Sequence, residues 1–425
     1  MLHSRKLQGF AALFFSVILL DSCQKDIADQ TQEIESARAR TKTSLTAVQQ
    51  LGKQIFFDAR LSEPVGVQAC ASCHAPQVGF SGFSDIPVGG AAAAQGFKRG
   101  FVAGIGEGAP AGAFGRRKPP SAAYATFSPN LSYVAADLQF AGGLFWDGRA
   151  TGARMGMPAA EQAQGPFLAD KEQNHPNPEA VLAKLRNNRA YIALWQAAYG
   201  TPDINISTAA SIQDSYDKLG YAIAEYEGSA EVNQFSSKWD AYKAGRVTLT
   251  AQELEGQRLF LNEGGCRACH NSTGGNKNRP FQAGELFTDF TYHNIGLPFN
   301  VNNPGGNAAP DPGLGGFLAT AANPQWRTMA AQEMGKFKTP TLRNVGKAQR
   351  FMHNGALRTL EEVVHFYNTR DVFGAGINGT PWGTPEYIPT MDRQHVGSLG
   401  LTAPQEAAIV AFLRTLDDGY TGVTQ

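Results

Sequence analysis

The pentapeptides Cys70-Ala71-Ser72-Cys73-His74 and Cys266-Arg267-Ala268-Cys269-His270 constrain this chain more than any other feature. Each presents two thiols able to add to haem vinyl groups and an adjacent imidazole able to ligate iron, the attachment pattern of a c-type haem. Two disulfides, or one zinc site built from both Cys pairs, would use the same cysteines. Neither accounts for the histidine that follows each second cysteine at once, and the two pairs lie much farther apart than zinc-finger spacing allows. The chain therefore reads as a covalent carrier of two haems.

Met1 to Ser22 carry a positive start (His3, Arg5, Lys6) and an apolar run from Phe10 to Leu20. That run is short for a membrane span and reads as a signal peptide. Leu20-Asp21-Ser22-Cys23 resembles a lipobox with an unusual Asp21, so Cys23 is a candidate for lipidation; ordinary cleavage leaving a free thiol is the alternative. Covalent haem attachment in bacteria takes place outside the cytoplasm, so both signals point to the periplasm. Lys plus Arg and Asp plus Glu balance at 37 each, which gives no electrostatic case for nucleic acid or an anionic membrane.

The polar stretch 23–44 reads as a tether, followed by a body in which one unit occurs twice. Leu51-Gly52-Lys53-Gln54-Ile55-Phe56-Phe57 precedes the first haem motif, and Glu255-Gly256-Gln257-Arg258-Leu259-Phe260 precedes the second. Apolar residues at helical spacing from Ala209 to Ala244 close the first unit, and Leu401 to Leu416 close the second. Thr250-Ala251-Gln252-Glu253 reads as a helix start. The Gly-rich stretches Val88 to Phe114 and Asn303 to Gly316 read as loops packed on haem rather than as strands. The expected division is an N-terminal haem domain, 45–245, and a C-terminal haem domain, 246–425.

Around these motifs the chain carries Phe145-Trp146-Asp147-Gly148-Arg149-Ala150, Glu161-Gln162-Ala163-Gln164-Gly165-Pro166, Lys338-Thr339-Pro340-Thr341-Leu342-Arg343-Asn344-Val345 and His353-Asn354-Gly355. With Leu51 to Ser62, these strings make the body resemble the bacterial dihaem cytochrome c peroxidase family, including its MauG-like members. The resemblance implies an all-α fold of two class I cytochrome c-like domains facing a shared interface. It implies that the N-terminal haem, on His74, is the peroxide site and that the C-terminal haem, on His270, relays electrons.

Family members that need reductive activation block the N-terminal iron with a histidine from the following loop. No histidine occurs here between His74 and His175, and Val88 to Phe114 contains neither His nor Met, so an open N-terminal iron is expected. Peroxide O–O cleavage moves a proton from the inner to the outer oxygen, which requires a carboxylate and a hydrogen-bonding partner. The resemblance carries these roles onto Glu172 and Gln162, and the inter-haem aromatic onto Trp146. Glu172 as a solvated charge and Trp146 as a core residue are the plain alternatives.

For the sixth ligand of the C-terminal haem the family position falls on Tyr367, where peroxidases carry Met and MauG carries Tyr. A phenolate stabilises ferric and higher iron states, whereas a thioether favours ferrous iron. Met352 ranks second and His365 third. The family's inter-domain calcium is doubtful, because Lys118 stands where an amide ligand belongs; its ammonium is the expected substitute for the cation.

Three functions are compatible with these residues. One is a peroxidase reducing hydrogen peroxide with electrons from a small cytochrome c or cupredoxin. Another is a MauG-like enzyme oxidising aromatic residues of a partner protein through a high-valent dihaem state, which Tyr367 favours. MauG carries a surface Trp two residues before its second haem motif, where this chain has Gly264, and that weighs against the second. The third, a non-catalytic dihaem electron carrier, needs neither Gln162 nor Glu172. The resemblance also makes a homodimer a candidate assembly.

Overall fold

The first half of the computed structural model contains helices α1 (Ala47–Phe57) and α2 (Cys70–Cys73) and short strands β1 (Phe101–Val102), β2 (Ile105–Gly106), β3 (Ser132–Val134) and β4 (Gln139–Ala141). It continues through α3 (Pro158–Leu168), α4 (Pro178–Arg186), α5 (Arg189–Tyr199), α6 (Ala209–Glu227) and α7 (Lys238–Lys243). The second contains α8 (Ala251–Leu261), β5 (Tyr292–His293), α9 (Gly313–Ala319), α10 (Pro324–Met329), β6 (Phe337–Lys338), α11 (Leu360–Thr369) and α12 (Ala403–Arg414). The structure describes residues 44–87, 98–271, 284–306, 309–376 and 379–422. The expected signal segment, Cys23 and the tether as far as Thr43 lie outside these residues.

The helices begin where side chains can satisfy their free backbone donors. Thr250 Oγ1 accepts from Glu253 N at 3.2 Å while Thr250 N donates to Glu253 Oε2 at 2.7 Å, a reciprocal cap at the expected start of α8. Thr46 and Gln49 repeat it at α1.

Each unit contains one helix pair built on the same plan. A Cβ placed on Gly52 of α1 would lie 1.7 Å from Ala222 O of α6, and one on Gly256 of α8 would lie 1.8 Å from Ala408 O of α12. Only glycine permits either approach. Four residues on from each glycine, Phe56 meets Tyr226 edge to face at 5.4 Å, and Phe260 meets Phe412 at 5.3 Å. The Gly-x-x-x-Phe pattern repeated in the sequence is thus the signature of one close helix crossing made twice.

Three expectations change in detail. The segment Ala209 to Ala244 is not one helix: α6 ends at Gly228, and Ser237 caps a new helix, α7. Asn233 holds the break by donating to Glu227 O at 2.9 Å and accepting from Tyr124 N at 2.5 Å. Inside the first Gly-rich stretch, β1 and β2 pair antiparallel. The two residues between them, Ala103 and Gly104, have φ of 51° and 81°, as a tight hairpin turn requires. The second Gly-rich stretch runs into α9, which starts directly after Pro312.

The described residues are helix-rich, and their strands form only two-stranded antiparallel pairs. The β3–β4 hairpin belongs to the segment leading to Trp146. Its Phe140 is fully buried against Trp326, so this aromatic packs a core.

Candidate active site

Each haem motif closes one helical turn that ends on its histidine. His74 N donates to Cys70 O at 2.8 Å, and His270 N donates to Cys266 O at 2.9 Å. Beyond the turn, His74 Nδ1 lies 3.3 Å from Phe80 O and His270 Nδ1 lies 2.9 Å from Phe287 O. A carbonyl facing Nδ1 selects the tautomer that leaves Nε2 free as a metal ligand. Burial lowers the proton affinity of both rings, taking His74 down to about 4, so each imidazole is neutral, the ligating form.

Cys70, Cys73, Cys266 and Cys269 form no disulfide. Among the described residues no three of His, Cys, Asp and Glu converge as a metal cage. Cys266, Cys269 and His270 all border one cavity, and His74, one helical turn from Cys70, borders another; both sets fit a c-type haem.

The N-terminal cavity, about 750 Å³, is bordered by His74, Gln162, Glu227, Tyr124 and Trp146. No other His and no Met borders it among the described residues. Part of the loop after the first motif, residues 88–97, lies outside those residues. Tyr124 is committed elsewhere, since its hydroxyl donates to Asp418 Oδ2 at 2.7 Å and accepts from Phe235 N at 2.9 Å. Gln162 and His74 border one cavity.

Glu172 does not border this cavity. Its charge acts on the thiols of Cys70 and Cys73. Burial raises its carboxyl above the usual range, and Arg149 pulls the other way. Its backbone is tied to the β1–β2 segment, with Ala109 N donating to Glu172 O at 2.7 Å.

Glu227, at the end of α6, has no role in the sequence reading. It is 5 % exposed, and burial pushes its carboxyl up to about 8. In the repeated helix pair its counterpart, five residues past the contacted alanine, is Leu413, which borders the C-terminal cavity. Aligning the two glycines and their partner helices is the signal that would have found it.

The C-terminal cavity, about 1440 Å³, is bordered by Cys266, Cys269, His270, Met352, His293 and Tyr367, among others. Both leading candidates for the sixth ligand thus share a cavity with His270. His365 does not border it: Nδ1 lies 3.0 Å from Glu406 Oε1 and Nε2 2.6 Å from Ala375 O. Burial works against a charge on His293, yet hydrogen bonds to Asp289 and the Cys269 sulfur raise it to about 10.

Trp146 and Lys338 to Thr341 border both cavities. Trp146 is pinned on two sides, its Nε1 donating to Lys118 O at 2.8 Å and its carbonyl accepting from Lys338 N at 2.9 Å. Lys118 is 5 % exposed. Its backbone N donates to His353 O at 2.7 Å, and its Nζ donates to Ser81 Oγ at 2.5 Å and Pro119 O at 3.0 Å. Burial lowers its ammonium to about 8. One lysine therefore links the loop after the first haem motif, the inter-cavity tryptophan and the His353 segment.

A family model described as "Di-haem cytochrome c peroxidase" matches residues 46–248. The methylamine utilization protein MauG of Paracoccus denitrificans is 33% identical over 384 residues, covering 88% of this chain and 89% of that protein. Cytochrome-c peroxidase IdrP2 of Denitromonas iodatirespirans is 28% identical, covering 92% of this chain and 86% of that protein. The crystal structure of the diheme peroxidase BthA from Burkholderia thailandensis matches with a TM-score of 0.67 at 33% identity, covering 87% of this chain and 86% of that one. The chain belongs to the di-haem cytochrome c peroxidase family and is an oxidoreductase of the dihaem peroxidase type. The family implies two haem c groups. No helix among the described residues is long and apolar enough to cross a membrane.

Proposed function

We propose that the protein reduces hydrogen peroxide to water at the N-terminal haem, with electrons from a small cytochrome c or cupredoxin passing through the C-terminal haem. The observation that carries this reading is the asymmetry of the cavities. His74 shares its cavity with Gln162 and with no second His or Met among the described residues, whereas His270 shares its own with Tyr367 and Met352. The haem irons supply the redox chemistry.

The chain's own residues divide the remaining work. His74 and His270 would hold the irons through Nε2, their tautomers set by Phe80 O and Phe287 O. Gln162 offers a hydrogen bond inside the peroxide cavity, and the buried carboxyl of Glu172, whose proton affinity burial raises, is the acid group of this reading. Trp146 would provide the aromatic path between the cavities, and Tyr367 would be the second protein ligand of the C-terminal iron. Each half, 45–245 and 246–425, acts as one haem domain, exported to the periplasm and anchored there through Cys23. In this reading the Lys118 ammonium holds the place of an inter-domain calcium.

A second reading, oxidation of aromatic residues on a partner protein, is favoured by Tyr367, because a phenolate ligand stabilises oxidised iron. Stopped-flow mixing of the diferric holoprotein with peroxide separates the two. Rapid turnover with reduced cytochrome c supports the peroxidase. A long-lived oxidised form that ignores such donors supports the second reading. An unchanged spectrum with peroxide removes both.

A further inference from the structure

Phe366 and Tyr367 are neighbours on α11, so their side chains leave the helix in different directions. Tyr367 borders the C-terminal cavity, while Phe366 is fully buried. Their rings meet edge to face at 6.3 Å, and Phe366 meets the indole of Trp382 edge to face at 5.2 Å. Three rings therefore run in sequence from the C-terminal cavity to Trp382, which is only partly buried.

The far end of this row is held in place. Trp382 Nε1 donates to Thr369 Oγ1 at 3.0 Å, and that hydroxyl donates onward to His365 O at 2.7 Å. The helix that carries Tyr367 thus fixes the indole as well. Phe373, four residues beyond Thr369, is 95% exposed, which marks this end of α11 as surface.

The chain has five tryptophans, and the other four are placed differently. Trp195 and Trp239 are fully buried, Trp146 lies between the cavities, and Trp326 packs on Phe140. Trp382 is the partly buried indole joined by a row of rings to Tyr367 at the C-terminal cavity, whereas Trp146, also partly buried, borders both cavities. Indole is among the most easily oxidised side chains, and a hydrogen bond fixes its orientation without removing its proton.

We infer that Trp382 is a redox outlet of the C-terminal haem, a surface site at which one-electron donors are oxidised without entering either cavity. The inference rests on the peroxide reading. Reducing one hydrogen peroxide to two waters takes two electrons and two protons. Each electron leaves the Trp382 ring for the haem pair through Phe366 and Tyr367, and the donor then returns one electron to Trp382. Thr369 is a hydroxyl and not a base, so the oxidised indole keeps its Nε1 proton as a cation radical.

The test uses diferric holoprotein and one equivalent of peroxide without donor, followed by freeze-quench EPR with indole-deuterated tryptophan. Peptide mapping for oxygenated tryptophan and turnover with the arylamine tetramethyl-p-phenylenediamine complete it. The expected result is a tryptophan cation radical and oxygenation at Trp382. Both are lost in Trp382→Phe, with arylamine turnover down at least tenfold, and Trp382→Tyr converts the signal to a tyrosyl type. An unchanged radical and unchanged arylamine turnover in Trp382→Phe, with the haem spectrum still responding to peroxide, overturns the outlet alone. No haem response in the wild-type protein overturns the peroxide reading and the outlet with it.

Discussion

Glu227 and Leu413 occupy the same position in two copies of one helix pair, and each borders the cavity of its own unit. The N-terminal cavity therefore holds a carboxyl group where its twin holds an isobutyl group. With burial raising Glu227 to about 8, the folded protein keeps a proton that an unfolded Glu releases near pH 4.5. Stability falls as pH rises through that window, because the folded state binds the extra proton. Urea midpoints of the holoprotein are expected to drop from pH 5 to pH 8. Glu227→Leu flattens the dependence and adds about 2 kcal/mol or more at pH 8. A variant that keeps the wild-type slope would show that another group titrates.

The sixth ligand of the C-terminal haem separates Tyr367 from Met352. Tyr367→Phe is expected to shift the ferric absorption spectrum and raise the potential of that haem, while Met352→Leu leaves both unchanged. Spectra and redox titrations of the two variants read this directly, and the reverse pattern would assign the ligand to Met352.

The two glycine crossings give a sharp stability contrast. Gly52→Ala and Gly256→Ala each drive a methyl group into a backbone carbonyl, at 1.7 and 1.8 Å. Each is expected to cost at least about 3 kcal/mol or to prevent folding, beyond ordinary overpacking. Gly66→Ala, at φ +83° with nothing within 4 Å, carries only the left-handed backbone penalty of about 1 kcal/mol. Denaturant unfolding of the three variants tests the order.

Arg343 and Asp240 form a buried pair at 2.5 Å, with side-chain exposures of 0% and 2%. The guanidinium also donates from Nε to Glu285 O at 2.6 Å. Asp240→Asn leaves that buried charge uncompensated and is expected to destabilise the fold by about 3–5 kcal/mol. Asp240→Leu combined with Arg343→Met recovers most of the loss in a double-mutant cycle, and strict additivity of the single changes would contradict the pairing.

If Lys118 holds the place of a calcium ion, elemental analysis finds no stoichiometric calcium and chelation leaves peroxide turnover intact. Lys118→Met removes the ammonium between Ser81 and Pro119 and is expected to slow transfer between the haems at least tenfold, read by stopped-flow at each haem. Calcium at one per chain, with activity lost on chelation, would contradict the substitution.

The haem motifs, the doubled helix starts and Trp146 were legible in the sequence because each is a local pattern with a chemical reason. The Gly-x-x-x-Phe repeat could be read as a repeat but not as a crossing, since Ala222 and Ala408 lie far away along the chain. The β1–β2 turn was missed because Ala103 accepts a positive φ that favours glycine. Glu227 was hidden by its own helix: at the polar end of α6 it looks like a surface residue until α1 and α6 are laid over α8 and α12. Glu172 was placed by register alone, and it is not among the residues that border the N-terminal cavity.

The wall formed by Trp146 and Lys338 to Thr341 also bears on how such a chain can diverge. A substitution there alters two cofactor environments at once, so selection on one cannot act without disturbing the other. Independent specialisation of the halves is left to residues that border one cavity alone, as Glu227 and Leu413 do.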